Sequence, residues 1–250
     1  MRYLVIGAAG HAEEVAWSLR EQAAAEGTRC ELLFFDDEKP CGPLPSGLGR
    51  VVGTLSDVAQ VGGALPARSR RSDTIRRVPS RTRGAGRAFR PNRRSGPQLV
   101  LGLGLPNVKS AVVTRLAPLG LQWKTVIHPR ATIGPNVEIG QGSYVGPGAI
   151  LTVNIRVGSF VTINMHCQVA HDGSVEDFAT LHPDVHLAGC VVVGKGAELG
   201  TGAIVIPGLS IGPWAVLGAG CTAVESLAGG RTYVGVPARD LRLQMAAVVA

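Results

Sequence analysis

The chain has 250 residues, 45% of them hydrophobic but only 4% aromatic, with 34 glycines; that suffices for two modest domains and favours narrow, repetitive strands over a conventional mixed core. Its formal charge of +7 is concentrated, because 11 arginines and a single acid, Asp73, lie between Arg68 and Arg94; 25 less 11 basic against 18 less 1 acidic residues leaves the remainder at −3. The basic balance therefore argues for no nucleic-acid partner, and no run approaching about 18 apolar residues argues for a membrane span.

Five cysteines (Cys30, Cys41, Cys167, Cys190, Cys221) show no CxxC or other ligand spacing, so reduced thiols in a cytoplasmic protein are expected. The first apolar run meets His11, Glu13 and Glu14 too early to read as a secretory leader.

In chain order, residues 2–7 read as a buried parallel strand, Gly7-Ala-Ala-Gly10-His11 as a turn, and Ala12 to Ala25 as a helix patterned by Val15, Ala16 and Leu19. Residues 31–35 form a second strand that ends in Asp36-Asp37. A glycine-containing loop at a helix N-terminus presents free N–H groups and a dipole to a phosphate. The motif is shorter than GxGxxG, and a βα turn without a ligand stays open beside it. Residues 66–97 are rich in Arg, Pro, Ser and Gly and carry almost no hydrophobic pattern, which predicts a flexible or loosely attached insertion. A nucleic-acid-binding arm is poorly supported there, since Phe89 is its one aromatic residue; the translation of a shifted reading frame is another alternative. Leu99 to Leu103 read as a third strand and Pro106 to Leu119 as a helix.

From Ile127 onward a repeat takes over. Steps of six fall on Ile127, Ile133, Ile139, Val145, Leu151, Val157, Ile163, Val169, Val175, Leu181, Leu187, Val193, Leu199, Val205, Ile211 and Leu217, without an insertion. Small residues such as Ala149, Ala179, Ala197 and Ala215 lie two positions earlier, and glycine often follows, as at Gly134, Gly140 and Gly146. Three six-residue edges make one triangular coil of 18, with the aliphatic residue inward, the small one beside it and glycine relaxing the turn. Such hexads are associated with left-handed coiling, an exception to the right-handed crossover rule. The fold class expected is an α/β domain followed by a left-handed parallel β-helix, with each inward residue resting on the one 18 positions away. Its flat faces and open ends need covering, which predicts a homotrimer.

With both halves in view, Ile6-Gly-Ala-Ala-Gly-His-Ala12, Phe35-Asp-Asp37, Val126-Ile-His-Pro129, Ile163-Asn164, Val169-Ala-His-Asp172, Leu187-Ala-Gly189 and Gly235-Val-Pro-Ala-Arg239 can be compared with known families. On these stretches the chain resembles the bacterial sugar O- and N-acetyltransferases of the sialic-acid O-acetyltransferase type, which include acetyltransferases of nucleotide-linked amino-dideoxy sugars. The resemblance implies a Rossmann-like acceptor domain over residues 1–120 and a β-helical acyltransferase domain over 121–250. It implies acetyl-CoA, or another acyl-CoA, as co-substrate, held between adjacent subunits of the trimer. It places Ala9, Gly10 and His11 along a phosphate or sugar-nucleotide loop, Asp36 and Asp37 at the nucleoside, Gly104 beside the acceptor, and Thr180, Thr201 and Ala219 at the CoA. The chain departs from the family at Gly104-Leu105-Pro106, where an acidic residue often follows the glycine, and at Thr180, where a histidine is frequent.

The chemistry centres on His171. Two residues after inward Val169, it projects outward near a corner, and Asp172 stands ready to fix its tautomer as general base. One coil on, Gly189 offers a backbone N–H to a thioester oxyanion. Asn164 is expected to orient the accepting amine or hydroxyl of a sugar or nucleotide sugar. Cys167 falls in an inward slot, which argues against an acyl-cysteine route, and His182 and His186 read as solvated residues. No metal is expected. A γ-type carbonic anhydrase would use the His166/His171 spacing, but two coils before His166 stands Arg130. The remaining alternatives are a non-catalytic nucleotide-sugar-binding protein and an acyltransferase acting on a non-nucleotide acceptor in antibiotic biosynthesis.

Overall fold

A computed structural model describes residues 1–62, 76–77 and 96–242. Of the stretch 66–97 read as an insertion, only Arg76–Arg77 and residues 96–97 belong to these, and the expectation for the rest lies outside the described residues. Strand β5 (Arg76–Arg77) pairs antiparallel with Glu138–Ile139 at the start of the repeat.

The N-terminal part is a sheet flanked by helices. Strands β1 (Arg2–Ile6), β2 (Glu31–Phe35), β4 (Arg50–Gly53) and β6 (Gln98–Leu101) run parallel, and β3 (Gly42–Pro43) adds an antiparallel edge, giving the order β3-β4-β2-β1-β6. Period-two alternation decides what each face packs on. Tyr3, Val5, Phe34 and Val100 meet Ala12, Val15, Ala16 and Leu19 of helix α1 (Gly10–Ala25). Leu4, Ile6, Phe35 and Leu99 meet Val58 of the short helix α2 (Val58–Gly62) and Leu116 and Val112 of helix α3 (Pro106–Leu116) on the other face. Trp123 bridges to Leu99, so the chain leaves along the sheet edge directly into the repeat.

Seventeen two-residue strands follow at strict six-residue intervals, from Val126–Ile127 to Thr222–Ala223. Each predicted aliphatic residue is the second, inward residue of its strand, and partners lie 18 apart: Val145 on Ile163, Ile163 on Leu181, Leu181 on Leu199. The three faces are three parallel sheets, an arrangement that fits a left-handed β-helix. The first face carries Tyr144–Val145, Thr162–Ile163 and Thr180–Leu181; the second Ile150–Leu151, Gln168–Val169 and His186–Leu187; the third Arg156–Val157, Ser174–Val175 and Val192–Val193. The interior is a column of Ala, Val, Ile and Leu excluded from solvent, each larger side chain worth about 1.5–3 kcal/mol on burial. Thr232–Val234 and Arg239–Asp240 fold back as an antiparallel pair on the first face.

The turn chemistry differs from the sequence expectation. The residue with positive φ comes three positions after the aliphatic one, at Asn136, Gly142, Gly148, Asn154, Phe160, His166, Asp172 and onward. The glycine directly after the aliphatic residue is small for another reason. A Cβ at Gly140 would lie 2.5 Å from the Gly158 carbonyl, and one at Gly134 would run into that of Thr152. Close approach of successive coils, not the turn, requires these glycines.

The first face is covered by the N-terminal sheet and its helices. The hydroxyls of Ser18 and Tyr144 bond at 3.1 Å, Gln22 Oε1 accepts the Ile127 N–H, and Trp17 packs on His128. Lys109 of α3 is wholly buried there and donates to Thr162 Oγ1, Thr180 Oγ1 and the Ala179 carbonyl at 2.8–3.2 Å. Burial pushes its ammonium down to about 7 from 10.5, opposed by the carboxylate of Glu198, which itself bonds His182. The unfolded chain thus holds a proton that the folded chain has lost between about pH 7 and 10.5, so folding gains stability across this window as pH rises and loses it as pH falls towards 7. Lys109→Met should flatten that rise, measured as melting temperature from pH 7 to 10 against the parent protein; parallel curves would show that the ammonium is not destabilised by its site.

Candidate active site

The corner between the second and third faces carries the predicted base. His171 and Asp172 are exposed, with side-chain accessibilities of 58% and 52%, and imidazole Nδ1 lies 2.8 Å from Asp172 Oδ2. Hydrogen bonds, first from His171 and then from Asn154, hold the Asp172 carboxyl below the usual carboxylate range. An ionised carboxylate only accepts, so Nδ1 carries the proton and Nε2 keeps its lone pair in the neutral ring. The ring lies over Gly189 on the next coil: a Cβ there would come within 2.5 Å of Nε2. One-coil arithmetic from sequence placed these three groups together, and the structure does the same. A groove of about 360 Å³ along the second face, lined by Ile150, Gln168, His186 and Ile204, ends beside Ala170 and Ala188 at this corner.

Other predicted residues are placed elsewhere. Asn164 is buried at the corner between the first and second faces, and its Oδ1 accepts the N–H of Met165 at 2.8 Å. Seven residues is one hexad edge plus one, so Asn164 stands one corner away from His171 in the same chain. Thr201 and Ala219 are exposed on that same first–second corner, stacked through the bond from Gly220 N to Thr201 O. Thr180 is corrected outright. It is 1% exposed, accepts from Lys109, and donates to the Gly104 carbonyl at 2.6 Å, so helix α3 and its preceding loop seal it from any CoA.

The loop expected to meet a phosphate forms where strand ends meet a helix start. Ala9 is the N-cap of α1 and contributes no side-chain cap, and Ala9 and Gly10 are exposed. The open N–H groups of that first turn suit an anion. His11 stands edge-on to Tyr144 at 5.7 Å, its Nδ1 3.4 Å from Glu14, with Gly104 beside the ring and Nε2 buried without a partner. Asp36 accepts N–H bonds from Ala8, Glu38 and Lys39, and Asp37 accepts from Leu55 and Arg115. The two carboxylates therefore shape the loops around the strand ends.

The residue pattern does not show the hydrogen-bond partners of the other polar groups around the coils. His182 is not a free surface residue, since its Nε2 bonds Glu198 at 2.8 Å. Asn154 donates to Asp172 at 3.0 Å. Inward Cys167 is wholly buried and pushed up to about 12 by desolvation, which removes it as a nucleophile. His166 pairs with Asp184 at 3.6 Å on the first–second corner, so the spacing that raised a zinc site does not converge with His171 within one chain. Among the described residues, the group able to offer metal ligands is His171, Asp172 and Cys190, within 4.8 Å of one another and all exposed. No helix among them is long and apolar enough to cross a membrane.

Comparison with known proteins bears on this geometry. The family described as bacterial transferase hexapeptide (six repeats) matches residues 124–152. GDP-perosamine N-acetyltransferase of Escherichia coli O157:H7 is 31% identical over 129 residues, 49% of this chain and 58% of its own length, so the chain spans little more than half of that curated relative. A crystal structure of a histidine variant of perosamine N-acetyltransferase from Caulobacter crescentus, in complex with CoA and GDP-perosamine, matches at TM-score 0.75 and 26% identity, covering 96% of both chains. WeeI from Acinetobacter baumannii AYE matches with the same TM-score and identity, over 96% of this chain and 100% of its own.

Gly189 has no positive φ, so a methyl group is tolerated by the backbone but not by the ring above it. Gly189→Ala should displace the His171 imidazole from Asp172 while changing the melting temperature by only a few degrees, read from the imidazole 15N resonances. A single Nδ1-protonated tautomer persisting in the variant would refute the stacked geometry.

Proposed function

We propose that the chain is a bacterial hexapeptide-repeat transferase that transfers an acyl group, in the first instance acetyl from acetyl-CoA, to the amino group of a nucleotide-linked amino sugar. The observation that carries the reading is the His171–Asp172 pair lying over the Gly189 backbone. The relative bound to CoA and GDP-perosamine, whose fold covers 96% of this chain, supports both the donor and the class of acceptor.

The chemistry follows from the proton positions. His171 Nε2 takes a proton from the acceptor nitrogen as it attacks the thioester carbonyl. The Gly189 N–H donates to the oxygen as negative charge develops on it. Collapse of the tetrahedral adduct breaks the C–S bond, and the imidazolium returns its proton to the departing CoA thiolate. Asp172 stabilises the imidazolium meanwhile. The groove beside Ala170 and Ala188 would receive the pantetheine arm, with Thr201 and Ala219 contributing from the other corner. Residues 1–120 act as a Rossmann-like acceptor domain and 121–250 as the acyltransferase domain. In it Ala9 and Gly10 face the diphosphate, while His11 and Gly104 border the sugar, with Asn164 on the same side. Asp36 and Asp37 shape the nucleoside end. A cytoplasmic location suits both substrates.

The site is shared between chains in this reading. The acceptor loop lies against the first face, and His171 lies at the corner opposite that face, on the far side of the prism. A second copy brings its own acceptor loop to this His171, and closed threefold symmetry satisfies all three pairs at once. Exposed Ile150, Ile204 and Ile206 on or beside the second face give such packing an apolar surface.

His171→Ala should lower kcat by about 10²–10⁴-fold with little change in CoA affinity, in a thiol-release assay with acetyl-CoA and GDP- or UDP-linked amino sugars. Asp172→Asn should cost less and move the acidic limb of the pH–rate profile to lower pH, because the imidazolium loses a negative neighbour. Near-full turnover by His171→Ala would place the base elsewhere, and repeating the assay at high pH separates an acceptor that binds already deprotonated. Light scattering should give a trimer at micromolar concentration. Mixed assemblies of His171→Ala and His11→Ala chains should regain activity that neither shows alone, whereas a monomer or an absence of complementation would contradict the shared site.

A further inference from the structure

The corner that holds Asp172 has a column beneath it that the acyltransfer chemistry does not yet use. Asn136, Asn154 and Asp172 occupy the same left-handed corner position on three successive coils, with φ of 55°, 57° and 58°. Asn136 Nδ2 donates to Asn154 Oδ1 at 3.1 Å, and Asn154 Nδ2 donates to Asp172 Oδ1 at 3.0 Å. The other carboxylate oxygen, Oδ2, remains for His171 Nδ1. We propose that Asn154 is a positioning residue for the base: its side-chain amide holds the Asp172 carboxylate in the orientation that faces His171, and Asn136 aligns Asn154 in turn. The inference rests on the reading of His171 as general base.

Three features argue for this role. The Asp172 side chain is about half exposed, so packing does not hold its carboxylate plane, and hydrogen bonds must. The polarity of the column is dictated by charge: an ionised carboxylate accepts only, so the NH₂ of Asn154 must face it. The Asn154 oxygen then faces down, where only a donor is tolerated, and Asn136 supplies its own NH₂ there. Aligned amides polarise one another, which strengthens the last bond to the carboxylate.

The plain alternative is that asparagine stands at these corners because it tolerates positive φ. The other corners argue against it. Equivalent positions there are filled by Gly142, Gly148, Phe160, His166, Phe178 and Trp214, among others, and beyond Asp172 this same column continues as Cys190 and Gly208. The backbone does not demand an amide. Among the left-handed corner residues described, the two asparagines fall on the two coils directly before Asp172.

The test uses glycine, which keeps the corner conformation and removes only the amide. Asn154→Gly should lower kcat by roughly 3–10-fold with both KM values within about twofold of the parent enzyme and the melting temperature little changed. Asn154→Asp sets a second carboxylate against Asp172, and the acidic limb of the pH–rate profile should move up by about half to one pH unit. That is the opposite direction from Asp172→Asn, and a role confined to the fold would not produce it. His171 15N resonances give a readout independent of turnover: the single Nδ1-protonated form should give way to a tautomer mixture in Asn154→Gly. An unaltered tautomer together with an unmoved pH limb would overturn the proposal. His171→Ala, assayed alongside, tests the base assignment by itself; if it retains turnover, the base assignment fails, and the tautomer measurement still decides whether Asn154 positions the pair.

Discussion

The structure depends on one constraint, the backbone ladder that joins each coil to the next. Tyr144 N bonds Val161 O, Thr162 N bonds Ala179 O and Thr180 N bonds Ala197 O, each at 2.8–3.0 Å, and the same offset recurs along the prism. Because the strands of the described coils pair their backbone N–H and C=O groups this way, an inserted or deleted residue would leave buried backbone groups unpaired and send the next inward side chain out. The consequence reaches the surface. A ladder with an 18-residue period sorts the corner residues into vertical columns, so groups far apart in sequence come within hydrogen-bonding distance.

The columns divide the labour between structure and chemistry. One corner stacks Phe160 on Phe178 at 5.2 Å, with Trp123 edge-on to Phe160. Another pairs His166 with Asp184. The corner between the second and third faces carries polar groups that end on an exposed imidazole. Its exposure suits the proposed base, because a base buried inside the prism would meet no substrate. The first face is covered in the opposite manner, by helices whose buried Lys109 and Ser18 need specific partners on the coil surface. Such polar pins fix where the N-terminal sheet sits at a cost in desolvation, and they hold the loop before α1 on the side away from His171 of the same chain.

Much of this was legible beforehand, for a physical reason. The six-residue period is a local property of the chain, so the inward residues, the stacking of Gly189 on His171 and the outward direction of His171 all follow from counting. The same count backwards reaches Asn154 and Asn136, and their role becomes visible only when the hydrogen bonds show which way each amide points. Counting also misled where it gave position without surroundings. Thr180 has the phase of an outward residue and the resemblance puts it at the CoA, yet helix α3 covers it. By position the glycines after the aliphatic residues look like turn formers, whereas at Gly134 and Gly140 the next coil's carbonyls exclude a Cβ.

By itself, then, the sequence determined the β-helix, its register and the neighbours of the His171–Asp172 pair, because those depend on a repeat that each hexad restates. Only the tertiary structure decided which face the N-terminal sheet covers, that Thr180 and Lys109 are buried together, and which way the amides of Asn136 and Asn154 point. Lys109 meets partners 53 to 71 residues away, and nothing in the helix around it distinguishes this lysine from a solvated one. Burial of a charge is set by what packs against it, and that packing is a property of the whole assembled chain.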